Sequence, residues 1–182
     1  IMTQYNLIAE TPESTVVADY QAPYNSRSTA YQSEAALEKA FIEELQKQAY
    51  DYLPIKSEQE LIFNLRNQLE ILNDYLFTPT EWERFYTTII AKADSGIVEK
   101  TTLIQEDCVQ VLKRDDGSFK NIKLIDKDHI HNNRLQVINQ YVPQGGKAEN
   151  RYDVSVLVNG LPLVHIELKR RGVDIKEAFN QI

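Results

Sequence analysis

Two neighbouring segments decide the fold: Asn150-Arg151-Tyr152-Asp153-Val154-Ser155-Val156-Leu157-Val158-Asn159-Gly160 and, after two further residues, Leu163-Val164-His165-Ile166-Glu167-Leu168-Lys169. Most of their side chains are apolar or β-branched, which is typical of buried strands, and an Asn-Gly pair between two such runs predicts a hairpin turn. A buried strand rarely tolerates a carboxylate without a partner. We therefore expect Asp153 and Glu167 each to be held by another group.

The register of this hairpin decides which side chains share a face. Glu167 and Lys169 are two residues apart in the predicted strand 163–169, so they point to the same side. With a strict two-residue turn, Asp153 would lie opposite Ile166 and face away from Glu167. A three-residue loop, such as a type I turn that ends in a glycine bulge, would bring Asp153 to the side of Glu167, and we predict this bulged or odd-length connection.

Two carboxylates and an ammonium that point into one space suit the hydrolysis of a phosphodiester. Carboxylate oxygens hold Mg²⁺ while leaving positions for water and phosphate, and the Leu168 backbone carbonyl is a candidate third ligand. The metal acidifies a bound water, and the Lys169 ammonium stabilises developing charge. The pattern alone fits a simpler arrangement equally well, in which Asp153 ends a strand in solvent while Glu167 and Lys169 form a surface ion pair.

Positive charge is concentrated in the second half of the chain. Residues 1–100 carry 8 basic and 16 acidic side chains, whereas residues 101–182 carry 12 and 11. The net charge of -7 argues against a simple nucleic-acid coat protein, because such proteins neutralise phosphates with Lys and Arg. The candidate DNA-binding residues are Arg170, Arg171 and Lys176; a solvated basic turn is the alternative for the arginine pair.

Several other chemistries are disfavoured. His129 and His131 lack the cysteine or carboxylate spacing that would complete a zinc site, and Cys108 has no histidine nearby in sequence. There is no glycine-rich phosphate loop, so these residues are not expected to bind ATP by themselves. No apolar run approaches the roughly 20 residues of a membrane span, and neither a signal peptide nor a disulfide is indicated, so we expect a cytoplasmic protein.

The first half of the chain has helical patterns and the second half has strand patterns. Residues 1–30 have no sustained period and are expected to form an irregular arm. An apolar stripe from Ser33 predicts the first helix, and capping boxes at Ser57 and Thr78 predict two more, the last with core aromatics. The other predicted elements are a hairpin around 115–117, strands at 135–142, 152–158 and 163–169, and a last helix from 174.

Asp153 followed by Glu167-Leu168-Lys169 matches the PD-(D/E)xK nuclease motif, and the chain resembles the restriction (R) subunit of type I restriction-modification enzymes. The likeness includes Tyr31-Gln32-Ser33-Glu34, Glu81-Trp82-Glu83-Arg84-Phe85, Leu124-Ile125-Asp126-Lys127 and Leu161-Pro162-Leu163-Val164. It implies an α/β endonuclease domain over 31–182, with a mixed sheet flanked by helices, a helical and hairpin insertion at about 55–130, and a final strand that would follow Ile182.

The resemblance also implies a function and its residues. It implies a magnesium-dependent endonuclease that cuts unmodified foreign DNA after ATP-driven translocation by downstream motor domains. The implied partners are double-stranded DNA and the methyltransferase and specificity subunits. Asp153 and Glu167 would be metal ligands, Lys169 the catalytic lysine, and Gln181 the glutamine of the Q-x-x-x-Y motif of RecB-type nucleases. An acidic residue of the first helix, Glu34 or Glu38, is a further but disfavoured candidate for a role at the site.

Two alternatives stay open. One is a catalytically silent module that docks a motor onto the methyltransferase core through its acidic first half. The other is a repair exonuclease or junction resolvase of the same fold, which would need no ATP. Substitution of Asp153 or Lys169 separates the first from a nuclease, and cleavage of circular DNA with and without ATP separates the second.

Overall fold

The computed structural model describes residues 5–10, 16–20, 33–141 and 152–168, and the chain divides into two compact units, 1–32 and 33–182. In the first unit, strands β1 (Tyr5–Glu10) and β2 (Val16–Tyr20) pair antiparallel. The expectation of an irregular segment is therefore wrong for these two stretches. Their Tyr, Ile and Val residues favour strands, but each run is too short to show a sustained period.

The second unit alternates helices and strands. Its elements in chain order are α1 (Glu34–Lys47), β3 (Asp51–Tyr52), α2 (Glu58–Asn73), α3 (Pro79–Phe85), a π-helical segment (Tyr86–Ile90), α4 (Ile97–Gln105), β4 (Val109–Lys113), β5 (Phe119–Lys123), a 3₁₀ turn (Ile130–Asn132), β6 (Leu135–Tyr141), β7 (Tyr152–Val158) and β8 (Leu161–Ile166). None of the helices in the described ranges is long and apolar enough to cross a membrane.

The central sheet of this unit is mixed. Its strands lie in the order β3-β6-β7-β8, with β3 parallel to β6 and the other neighbours antiparallel. Strands β4 and β5 form a separate antiparallel ribbon, as the hairpin prediction around 115–117 requires. The prediction of an α/β fold with a mixed sheet flanked by helices is confirmed.

The predicted helix starts are confirmed by their caps. The Ser33 hydroxyl accepts a hydrogen bond from the backbone of α1, and α2 and α3 each begin with a complete capping box, at Ser57 and Thr78. Helix α4 was not expected, because the apolar pattern shifts towards a period of two beyond Gly96. Ile97 and Val98 are apolar but exposed on the helix (77% and 62%), so they do not mark a buried helical face.

Helices cover both faces of the sheet. On one face, Val137 and Val154 pack with Ile42 of α1. On the other, Ile138 and Leu157 pack with Ile55 and with Leu61 of α2. The largest cluster joins α2, α3 and the ribbon: Leu65, Leu69, Phe77, Trp82, Phe85, Leu112, Ile122, Leu124 and Leu161. The aromatics of α3 are core residues, as predicted.

The turn between β7 and β8 is tied to the segment that joins β5 to β6. The Asn159 side chain is buried; it donates to Leu124 O (3.0 Å) and Asn133 Oδ1 (2.8 Å) and accepts from Arg134 N (2.8 Å). Asn133 in turn bonds the backbone of Asp126 at both N and O (2.9 and 2.8 Å). The end of the hairpin is thus fixed by an ordered loop.

Asp126 orders that loop, and its protonation is expected to destabilise the fold. Hydrogen bonds from Asn132 and His129 N, with help from Lys123, lower the pKa of Asp126 from 3.8 to about 2. A lowered carboxyl pKa contributes stability above the unfolded-state pKa, and this contribution is lost as pH falls from about 4 to about 2. We expect Asp126→Asn to flatten this part of the stability profile, measured as urea midpoints at several pH values.

The matched control for this prediction is Asp128→Asn. Asp128 is exposed and offers Asp126 its backbone N–H (3.2 Å), which the substitution retains. This variant should lose stability with acid as the parent protein does. An equal loss between pH 4 and pH 2 in the parent protein and in Asp126→Asn would contradict the role of Asp126.

Candidate active site

The hairpin of β7 and β8 contains a bulge, which lies within strand β8 and not in the connection. The turn has two residues, Asn159 and Gly160, both at positive φ (51° and 81°), as a tight hairpin turn requires. Leu157 pairs with Pro162 but Val156 pairs with Val164, so Leu163 is the extra residue on β8. The predicted three-residue connection is therefore wrong, because the turn has two residues; the change of parity comes from the bulge within β8, which gives the predicted register by another route.

This bulge sets Asp153 beside Glu167. Val154 pairs with Ile166, so the same register continued by one position places Asp153 opposite Glu167. The Leu168 N–H donates to Asp153 Oδ2 (2.8 Å), which fixes the carboxylate against the segment that follows β8. Strand β8 begins at Leu161 and ends at Ile166, so the predicted strand 163–169 is wrong in its bounds.

Asp153 and Glu167 face away from helix α1. Val154, Ile166 and Leu168 pack in the cluster around Ile42 of α1, and residues that alternate with them lie on the opposite face of the sheet. Both carboxyl-bearing residues are half-buried. The register therefore places two acidic residues from neighbouring segments on one side of the sheet.

The next position along this face holds a second polar pair. Ser155 is buried (1% exposed) and pairs directly with His165, and its Oγ lies 2.8 Å from His165 Nδ1. His165 is exposed overall, and the partial desolvation of its ring lowers its pKa. Sequence reasoning missed this pair, although two polar residues at facing positions of a predicted hairpin are a usable signal once the register is known.

Glu38 of α1 is a buried carboxylate at the neighbouring strand. It is 8% exposed and accepts hydrogen bonds from Asn139 Nδ2 (2.6 Å) and Gln140 Nε2 (3.2 Å). Gln140 has φ +54° and occupies the register position next to Asp153 on β6. The structure therefore ties Glu38, but not the exposed Glu34, to the strand beside the site, on the α1 side of the sheet and so on the face opposite Asp153 and Glu167.

Several predicted site residues lie outside the described residues. They are Lys169, Arg170, Arg171, Lys176 and Gln181, together with the predicted last helix from 174. Their roles stay predictions. His129 and His131 are exposed, as expected for ordinary surface histidines.

The donor set fits a hard cation that keeps most of its water. Within residues 33–141 and 152–168, no group of three or more His, Cys, Asp or Glu side chains could hold a metal. Asp153 and Glu167 supply two carboxylates, and Mg²⁺ is usually bound through one or two carboxylates with water in its remaining positions. Zinc, which takes three or four side-chain ligands, fits these residues poorly.

Residues 31–182 match the family described as "Type I restriction enzyme R protein N terminus". The chain belongs to this family. The type I restriction enzyme EcoprrI endonuclease subunit of Escherichia coli is 46% identical over 168 residues, which are 92% of this chain and 53% of that protein. The SsaAORF53P endonuclease subunit of Staphylococcus saprophyticus is 42% identical over 157 residues, or 84% of this chain and 16% of that protein.

A third relative, the SauMSSORF170P endonuclease subunit of Staphylococcus aureus, is 38% identical over 158 residues, again 84% of this chain and 16% of that protein. The chain thus spans about half the length of the first of these relatives and about a sixth of the other two. The resemblance to type I R subunits is confirmed, and the family relationship includes both Asp153 and Glu167 within the matched residues.

Proposed function

We propose that this chain is the DNA-cleaving domain of a type I restriction enzyme R subunit, built on the PD-(D/E)xK architecture. One observation carries the proposal: the bulge at Leu163 sets Val154 opposite Ile166, a register that places Asp153 and Glu167 on one face of the sheet. Without that register the two carboxylates would lie on opposite faces and could not share a cation. Relatives that are named endonuclease subunits support the same function.

Each site residue has a role in this proposal. Asp153 and Glu167 would hold Mg²⁺, with the Leu168 carbonyl as a third ligand, and Leu168 N–H keeps the Asp153 carboxylate in place. When bound, Mg²⁺ acidifies a water and neutralises charge on the scissile phosphate. Lys169 orients the attacking water or stabilises developing charge, with Gln181 beside it.

The remaining parts of the proposal concern DNA and the larger protein. Arg170, Arg171 and Lys176 contact DNA phosphates. The longer relatives leave room for the motor domains through which ATP would act, and the methyltransferase and specificity subunits would supply recognition of the DNA site.

The decisive test is Asp153→Asn in the full-length protein assembled with the methyltransferase and specificity subunits. Loss of the carboxylate charge should lower cleavage of unmodified circular DNA by more than about a hundredfold, beyond the roughly 10- to 100-fold effect of groups that only orient metal ligands. Hydrolysis of ATP should continue at the parent rate, because the sequence of this chain has no glycine-rich loop of the kind that binds ATP phosphates.

Asp51→Asn is the matched control. Asp51 lies on the same sheet, in β3, and is exposed beside Arg134 (3.7 Å). This variant should cleave like the parent protein. Full cleavage by Asp153→Asn would favour the silent docking module instead, and ATP-independent cleavage by the parent protein would favour the resolvase or exonuclease.

A further inference from the structure

The hydrogen bond between Ser155 and His165 lies between the bulge and the carboxylate pair. Leu163 is the bulged residue, His165 is two positions further along β8, and Glu167 follows two positions beyond His165. The Ser155 Oγ to His165 Nδ1 distance is 2.8 Å, and Ser155 is 1% exposed. A buried hydroxyl on β7 is therefore matched to a particular residue of β8.

The Ser155–His165 hydrogen bond can form in only one register of β8 against β7. A slip of β8 by one residue in either direction would place Val164 or Ile166 opposite Ser155. Neither side chain can accept or donate a hydrogen bond, so the buried hydroxyl would lose this partner. The same slip would move Glu167 off its position opposite Asp153.

We propose that Ser155 and His165 form a register lock, a cross-strand hydrogen bond that holds Glu167 opposite Asp153. This inference rests on the proposed function of the two carboxylates. Both residues act as positioning residues, through the strand pairing and without contact to the reacting atoms. The bulge brings the carboxylates to one face, and the register lock keeps the bulge at Leu163.

Substitutions at His165 separate positioning from direct contact. In His165→Asn the amide group occupies roughly the place of the ring Nδ1, so the bond to Ser155 can be retained. In His165→Gln the amide lies near the place of Nε2 and that bond is lost. In the full-length protein with its partner subunits, we expect His165→Ala, His165→Gln and Ser155→Ala to lower kcat for cleavage about tenfold or more, and His165→Asn to stay within about threefold of the parent protein.

A disulfide measurement reports the register without any cleavage. Directly opposite residues of antiparallel strands are close enough for a disulfide. We expect Asp153→Cys with Glu167→Cys to cross-link under mild oxidation, and the yield to fall about fivefold or more when Ser155→Ala or His165→Ala is added. Val111→Cys with Asn121→Cys, an exposed pair across β4 and β5, should cross-link equally in every background.

The outcomes separate the lock from the function on which it rests. Unchanged 153–167 cross-linking in both Ala backgrounds would overturn the lock, whatever happens to cleavage. Rescue by His165→Gln and not by His165→Asn would also overturn it, because the other ring nitrogen would then be the active one. Loss of the cross-link together with full cleavage by Asp153→Asn would support the lock and overturn the proposed nuclease site.

Discussion

Insertion of one alanine between Val164 and His165 is expected to lower DNA cleavage by at least about a thousandfold, roughly 4 kcal/mol of transition-state stabilisation. The turn is fixed by buried Asn159, so the extra residue displaces everything that follows it in β8. Ile166 would then lie opposite Asp153, and Glu167 would fall on the other face.

The measurement compares two reactions of the same assembled protein. Cleavage of circular DNA reports the proposed site, and ATP hydrolysis reports whether the remainder of the protein is intact. The insertion variant should lose the first activity and keep the second. The effect should exceed that of Asp153→Asn, because the insertion places the two carboxylates on opposite faces of the sheet.

Deletion of Leu163 is the matched control for this insertion. It also changes the length of β8 by one residue, but every observed pair survives: Pro162 stays opposite Leu157, and Val164 stays opposite Val156. Cleavage should therefore remain within about tenfold of the parent protein, the residual loss coming from altered strand twist. Equal damage by the insertion and the deletion would show that strand length matters more than the partner of Asp153.

The chemistry requires a change of parity in the hairpin, and the sequence pattern places it in the turn, whereas the bulge lies at Leu163 within β8. Pro162 is a signal that could have located it, because proline lacks an N–H and is confined in sheets to edge strands, strand starts and bulges. It lies on β8, an edge strand of the sheet as far as the described residues go, immediately before the extra residue Leu163. The hairpin, the capping boxes and the aromatic core follow from short-range patterns and are predicted well.

Other features depend on contacts between distant parts of the chain. Glu38 bonds to Asn139, 101 residues later, and nothing in either local sequence indicates this pairing. Helix α4 is not predicted because Ile97 and Val98 are β-branched, which favours a strand, and exposed, so they do not form the buried stripe typical of a helix. Local patterns thus predict the elements of this fold, whereas the partners of buried polar groups are set by tertiary packing.

Gly160→Ala is expected to destabilise the domain by about 2–5 kcal/mol, from the roughly 1–2 kcal/mol of a left-handed backbone and the roughly 1–3 kcal/mol of overpacking. Gly160 has φ +81°, and an added Cβ would lie 2.6 Å from Leu65 Cα and 3.0 Å from Leu65 N. These are backbone atoms of α2, so they cannot move aside as a side chain can. The turn of the site hairpin would have to separate from the helix.

Gly117→Ala is the control that measures the cost of backbone strain alone, without a contact like that between position 160 and Leu65. Gly117 has nearly the same φ, +84°, but an added Cβ would meet nothing within 4 Å. We expect a loss of only about 1–2 kcal/mol at this position. Urea unfolding followed by the fluorescence of Trp82, the single tryptophan of the chain, measures both variants. Equal losses of unfolding free energy would mean that α2 moves to make room for the new methyl group. A larger loss at Gly160 would show that the end of the hairpin is held rigidly against α2, as the register of the site requires.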